Sequence, residues 1–184
     1  GYAHQRSTKT GKLRRFAASV DGVAHEAGQA FLDAIRPERW DSNLPEPNGF
    51  HEAFGDCIAI LTALADRDVR RALLKADPKL AKANFVETLM ESLANAIRDE
   101  MPDHNAAKPR RGRNRHKWTF FTALPGDGGP GKLIADSHSF GQVVVGCFHH
   151  TLRNVFLAGK KRDEAALWKA AQTAGKLLAR AARK

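Results

Sequence analysis

Val20-Asp21-Gly22-Val23-Ala24-His25-Glu26-Ala27-Gly28-Gln29-Ala30-Phe31-Leu32-Asp33-Ala34-Ile35 is the stretch from which the rest of the chain is read. Its apolar residues Val20, Val23, Ala27, Ala30, Phe31, Ala34 and Ile35 recur every three or four positions, the spacing of one helical face. Ser19 stands where a cap belongs, and Pro37 marks the stop. The same period returns in Phe54, Ile58, Leu61 and Leu64, which predicts a helix over 50–64. A short polar helix is expected over 67–76, ahead of Pro78. A longer one is expected over 80–98, with Leu89, Met90, Leu93, Ala96 and Ile97 on one face and Pro102 beyond its end. A buried helix over 139–158 and an Ala-rich helix over 163–183, with Leu167, Trp168, Ala171, Leu178 and Ala181 inward, complete the set.

Between these lie segments without helical period. Residues 1–18 read as an irregular basic lead-in, and 38–49, with Pro45, Pro47 and Gly49, as a loop. Residues 103–117 read as a basic connector, 118–124 as the one candidate strand, and 125–131 as a Gly/Pro loop. The expected fold class is mainly α with little or no strand, in a single domain over 19–184. A chain of 184 residues can bury a core of its own.

Its hydrophobic fraction of 42% and mean hydropathy of -0.45 suit a globular domain, and no apolar run approaches the ~20 residues that span a bilayer. Residues 1–12 are polar and basic, so no signal peptide is expected there; the compartment stays open. Cys57 and Cys147 fall in apolar helical segments and read as two buried free thiols, with a single disulfide as the alternative. The net charge of +10 points either to an acidic partner or to basic ends and one basic loop.

The sharpest chemical signal is His25-Glu26-Ala27-Gly28-Gln29. A His-Glu-x-x-His helix sets two histidines on one face to grip zinc, while the Glu holds a water as general base. Here the second histidine is Gln29. On the next helix Glu52 and Asp56 stand four residues apart and share a face. Further on, Asp136-Ser137-His138 precedes the buried helix.

These three segments, in this order, resemble the helical half of the gluzincin, thermolysin-like zinc metallopeptidases. The resemblance implies His25 and Glu52 as zinc ligands, with Gln29 at a lost ligand position. It implies Asp56 as the hydrogen-bond partner that orients His25. Glu26 would be the general base and His138 the oxyanion donor, with Asp136 beside it. His51, next to Glu52, points about 100° away from it on a helix and is expected to contact Gln29 from behind the ligands.

Two departures bear on activity. A neutral amide is a far weaker zinc donor than imidazole, so any zinc is expected to bind weakly. The β-rich half that precedes the His-Glu helix in this family is not represented in the 24 residues before His25, so either another chain completes the cleft or this is a fragment or reduced version of the family's domain. The expectation is a metallopeptidase-like domain for peptide or protein, inactive or impaired.

The alternative is a non-catalytic binding module that holds a protein or nucleic-acid partner through the remnant cleft or the basic loop at 108–118. In that loop Arg110, Arg111, Arg113, Arg115 and Lys117 lead into Trp118 and Phe120, which suits an anionic backbone. Gly126-Asp127-Gly128-Gly129-Pro130-Gly131-Lys132 has the spacing of a phosphate loop but is followed by Leu133, where magnesium needs a hydroxyl. It reads as a loop. Of the adjacent His149 and His150, one is expected to be buried and the other exposed.

Overall fold

The structure is a computed structural model, and it describes residues 4–39, 42 and 44–183, with the side chains of Gln5 and Arg39 left aside. Six α-helices carry the described residues: α1 (Val20–Ile35), α2 (Pro45–Ala65), α3 (Arg67–Ala76), α4 (Glu91–Glu100), α5 (Ser137–Ala158) and α6 (Glu164–Ala182). The protein is mainly α. No described helix is long and apolar enough to cross a membrane.

Three helix starts follow from acidic caps. Asp66 accepts hydrogen bonds from the amides of Asp68 and Val69, Asp136 from Ser139 and Asp163 from Ala166. Each satisfies amides that the first helical turn leaves without a partner. The core gathers around α2, which packs against α1, α5 and α6. Phe54, Ile60 and Leu64 of α2 meet Leu32, Leu152, Phe156 and Leu167, all at most 2% exposed. Burial of one such side chain is worth about 1.5–3 kcal/mol.

The structure differs from the sequence reading in several places. α2 begins at Pro45, inside the expected loop; Pro45 and Pro47 occupy the first turn, where a missing N–H costs nothing. The expected helix over 80–98 is shortened to α4. Leu80 and Met90 adopt left-handed backbone angles, and the Asn84 side chain accepts from Val86 and Glu87 to form a turn. Thr88–Leu89 (β3) then pairs antiparallel with Arg110–Arg111 (β4).

Residues 118–124 form no strand; a single 3-10 turn spans Phe121–Ala123. The lead-in is partly ordered, with Gln5–Arg6 (β1) paired antiparallel to Leu13–Arg14 (β2) and Arg14 bonded to Asp99 of α4. Finally, the apolar stripe on α1 faces outward. Val20, Val23 and Phe31 are 71%, 53% and 54% exposed, while Ala24, His25, Gly28 and Leu32 are buried. Ala24, Gly28, His25 and Leu32 form the inner face of α1, in place of the expected stripe. On α6, Ala182 is buried where Ala181 was expected.

Both cysteines are free; Cys57 is buried, where burial pushes its thiol up, but Cys147 is exposed. His149 is buried and His150 exposed, as the helix period requires.

Candidate functional site

Absent side chains bring the site together. At the crossing of α1 and α2, a Cβ on Gly55 would lie 2.7 Å from His25 Nδ1, and one on Gly28 only 2.9 Å from Ile58 Cβ. Any larger residue at either position would hold the helices apart. At the meeting of α2 and α5, a Cβ on Gly141 would lie 2.8 Å from the Gly49 carbonyl oxygen. These approaches carry His25 to α2 and the start of α5 to Glu52.

His25 Nδ1 lies 2.8 Å from Asp56 Oδ1, and its Nε2 faces Glu52 Oε2 at 3.3 Å. Gln29 donates through Nε2 to Glu52 Oε1 at 3.0 Å. His138 approaches from the first turn of α5, with Nε2 3.4 Å from Glu52 Oε1 and Nδ1 3.5 Å from Asp136 Oδ1. His25, Gln29, Glu52, Asp56 and His138 thus share one cluster. Glu52 Oε2 is buried and makes no hydrogen bond.

Two expected members stand elsewhere. Glu26 is exposed on α1 and makes no side-chain contact within this cluster. His51 does not contact Gln29; its Nε2 lies 2.9 Å from Asp33 Oδ1, because its direction on α2 differs from that of Glu52.

Arg110 is the member that the sequence did not single out for this place. The β3–β4 pairing sets it over Asp56, to which it donates from Nε at 2.8 Å and Nη2 at 2.7 Å. The clue was Asp56 itself, an acidic residue inside the apolar run of α2, which burial obliges to find a cation.

The electrostatics follow from this crowding. Burial opposes charge on His25, but Asp56 and Glu52 outweigh it and raise the imidazole from 6.5 to about 9. Burial would raise both carboxyls; contact with His25 chiefly lowers Glu52, and the Arg110 charge chiefly lowers Asp56. Contact with Asp136 raises His138 against the effect of burial, and the same contact brings Asp136 down to about 2. The cluster is a lattice of alternating charges.

Beside it opens a cavity of about 560 Å³. Arg110, Asp136 and His138 border it, and Leu93, Ile97 and Ile134 supply apolar wall. An apolar pocket with a few convergent polar groups suits an amphipathic ligand.

The chain matches no family model, no curated protein and no solved structure. Among the described residues, no group of three or more His, Cys, Asp or Glu side chains is disposed to hold a metal ion.

Proposed function

We propose that this chain is a zinc metallopeptidase-like domain that binds peptide in the cavity beside His138, with hydrolysis impaired by Gln29. The observation that carries the reading is the relation of His25 to its two carboxylates. Asp56 occupies Nδ1, which turns Nε2 toward the carboxylate of Glu52. Orientation of a metal-binding histidine by a carboxylate on its other nitrogen is how such ligands are held. Glu52 Oε2, buried beside His25 Nε2 at 3.3 Å, is the oxygen that would face a cation shared with His25 once that imidazole has lost its proton.

The donor set fits a catalytic zinc incompletely. Gln29 spends its amide N–H on Glu52, and its neutral oxygen is a poor substitute for imidazole. His25, charged up to about 9, must also surrender a proton before it can ligate. A zinc ion here would supply Lewis acidity to a carbonyl. The chain's own contribution is clearer for binding. His138, held by Asp136 at the cavity border, can donate a hydrogen bond from a ring N–H to a peptide carbonyl, while Leu93, Ile97 and Ile134 receive an apolar side chain. Glu26, on the exposed face of α1, is outside this arrangement, which further weakens hydrolysis.

Zinc content and casein hydrolysis of the chelated and zinc-loaded protein, beside Gln29→His, test the reading. The wild type is expected to bind zinc weakly and to hydrolyse little casein. Gln29→His is expected to gain at least tenfold in zinc affinity, the scale of one ligand contact. If a folded Gln29→His protein binds zinc no better than the wild type, the metallopeptidase-like reading is wrong.

A further inference from the structure

The segment that leaves β4 alternates strictly in environment from Arg113 to Lys117. Asn114 and His116 are partly buried; Arg113, Arg115 and Lys117 are exposed. The inward residues hold the segment against α5. Asn114 donates from Nδ2 to the carbonyls of Arg111 and Gln142, and its Oδ1 accepts from the amide of His116. A Cβ on Gly146 would lie 2.8 Å from Asn114 Oδ1, so the glycine makes room for this anchor.

The outward residues differ from the two arginines before them. Arg110 is bonded to Asp56 and Arg111 to Glu87. No ion pair or side-chain hydrogen bond engages Arg113, Arg115 or Lys117 among the described residues. Three cations without an ion pair among the described residues thus stand on the outer side of one short anchored segment. The segment leads into two exposed aromatics. Trp118 is 58% exposed, with its ring set at 62° against Phe140 at 5.2 Å, and Phe120 is 73% exposed.

We propose that Arg113, Arg115 and Lys117, with Trp118 and Phe120, form a binding strip for single-stranded nucleic acid. Cations set along one side of an anchored segment can track a phosphate backbone, and exposed aromatic rings offer unpaired bases a stacking surface. A duplex hides its base faces and gives the aromatics nothing to stack on. The strip does not depend on the metal-ligand reading of His25 and Glu52.

The test is fluorescence anisotropy of a labelled oligothymidylate of about 16 nucleotides, the upper site size of one such module, titrated with the full chain over a range of salt. Binding is expected to weaken with salt, with a slope of log K on log salt near -2, since each single-strand phosphate contact contributes about -0.7. Arg113→Glu with Arg115→Glu and Lys117→Glu should abolish binding while far-UV circular dichroism stays that of the wild type. Trp118→Ala should weaken binding about tenfold and leave the salt slope unchanged. Lys176→Glu with Arg180→Glu on α6 is the control and should bind as the wild type does. The proposal is overturned if the strip variant binds as tightly as the wild type. It is equally overturned if a duplex of equal length, or vesicles with anionic lipid, compete better than the single strand.

Discussion

Replacement of Arg110 by Met keeps the aliphatic stem and removes the charge, which isolates the pair at the centre of the cluster. Arg110 gives Asp56 two hydrogen bonds, at 2.8 and 2.7 Å, and the Asp56 side chain is only 3% exposed. Loss of one partner from such a buried pair leaves an uncompensated charge and costs about 3–5 kcal/mol. At about 2–4 °C per kcal/mol for a chain of this size, melting should fall by roughly 10 °C.

The deficit should depend on pH. Asp56 is held below its usual 3.8, chiefly by Arg110 against burial, so its contribution is present above that value and is lost as pH falls through its folded value. Arg110→Met should therefore be most destabilised at neutral pH and approach the wild type in acid. Urea unfolding of chelated protein, followed by circular dichroism at both pH values, gives the numbers. Asp56→Asn and the double variant complete a cycle that isolates the pair, and exposed Arg113→Met should change stability by no more than about 0.5 kcal/mol. A deficit below about 1 kcal/mol, or one that is the same in acid, would refute the claim that Arg110 neutralises Asp56.

His25 gives the opposite sign. Its folded value of about 9 lies above 6.5, so its contribution is complete below 6.5 and is lost as pH rises through about 9. At about 1.4 kcal/mol per pH unit the loss is roughly 3 kcal/mol, and urea midpoints of the chelated protein across that window should show it. Gly55→Ala would set a Cβ 2.7 Å from His25 Nδ1 and should cost about 1–3 kcal/mol. The imidazole resonances of His25 should shift in the same variant; unchanged resonances would mean that the crossing yields elsewhere. One thiol per chain should react with a disulfide reagent in the folded protein, from exposed Cys147, and the buried Cys57 thiol only after denaturant is added.

Much of this was legible in the chain. The bounds of α1 and α3 follow from period, cap and stop signals, and those of α5 nearly so. These signals are local and need no partner. The same locality explains the failures. The stretch 80–98 has helical composition throughout, yet turn bonds from Asn84 and strand pairing with 110–111 take its first half. The bulky stripe on α1 was a true helical face, but amphipathicity does not say which face meets the core. Close approach of α2 through Gly28 and Gly55 decided that, and it turned Val20, Val23 and Phe31 outward.

By itself the sequence determined a mainly helical chain; that His25, Gln29, Glu52, Asp56 and His138 belong together was an expectation from a resemblance. Spacing on helices was enough to pair Glu52 with Asp56 and to set His25 and Gln29 on one face. Only the tertiary structure decided that the three segments meet, that Glu26 and His51 stay outside, and that Arg110 joins. Those outcomes depend on which backbones can touch and which buried charge must be neutralised, and both are set by residues far apart in the chain.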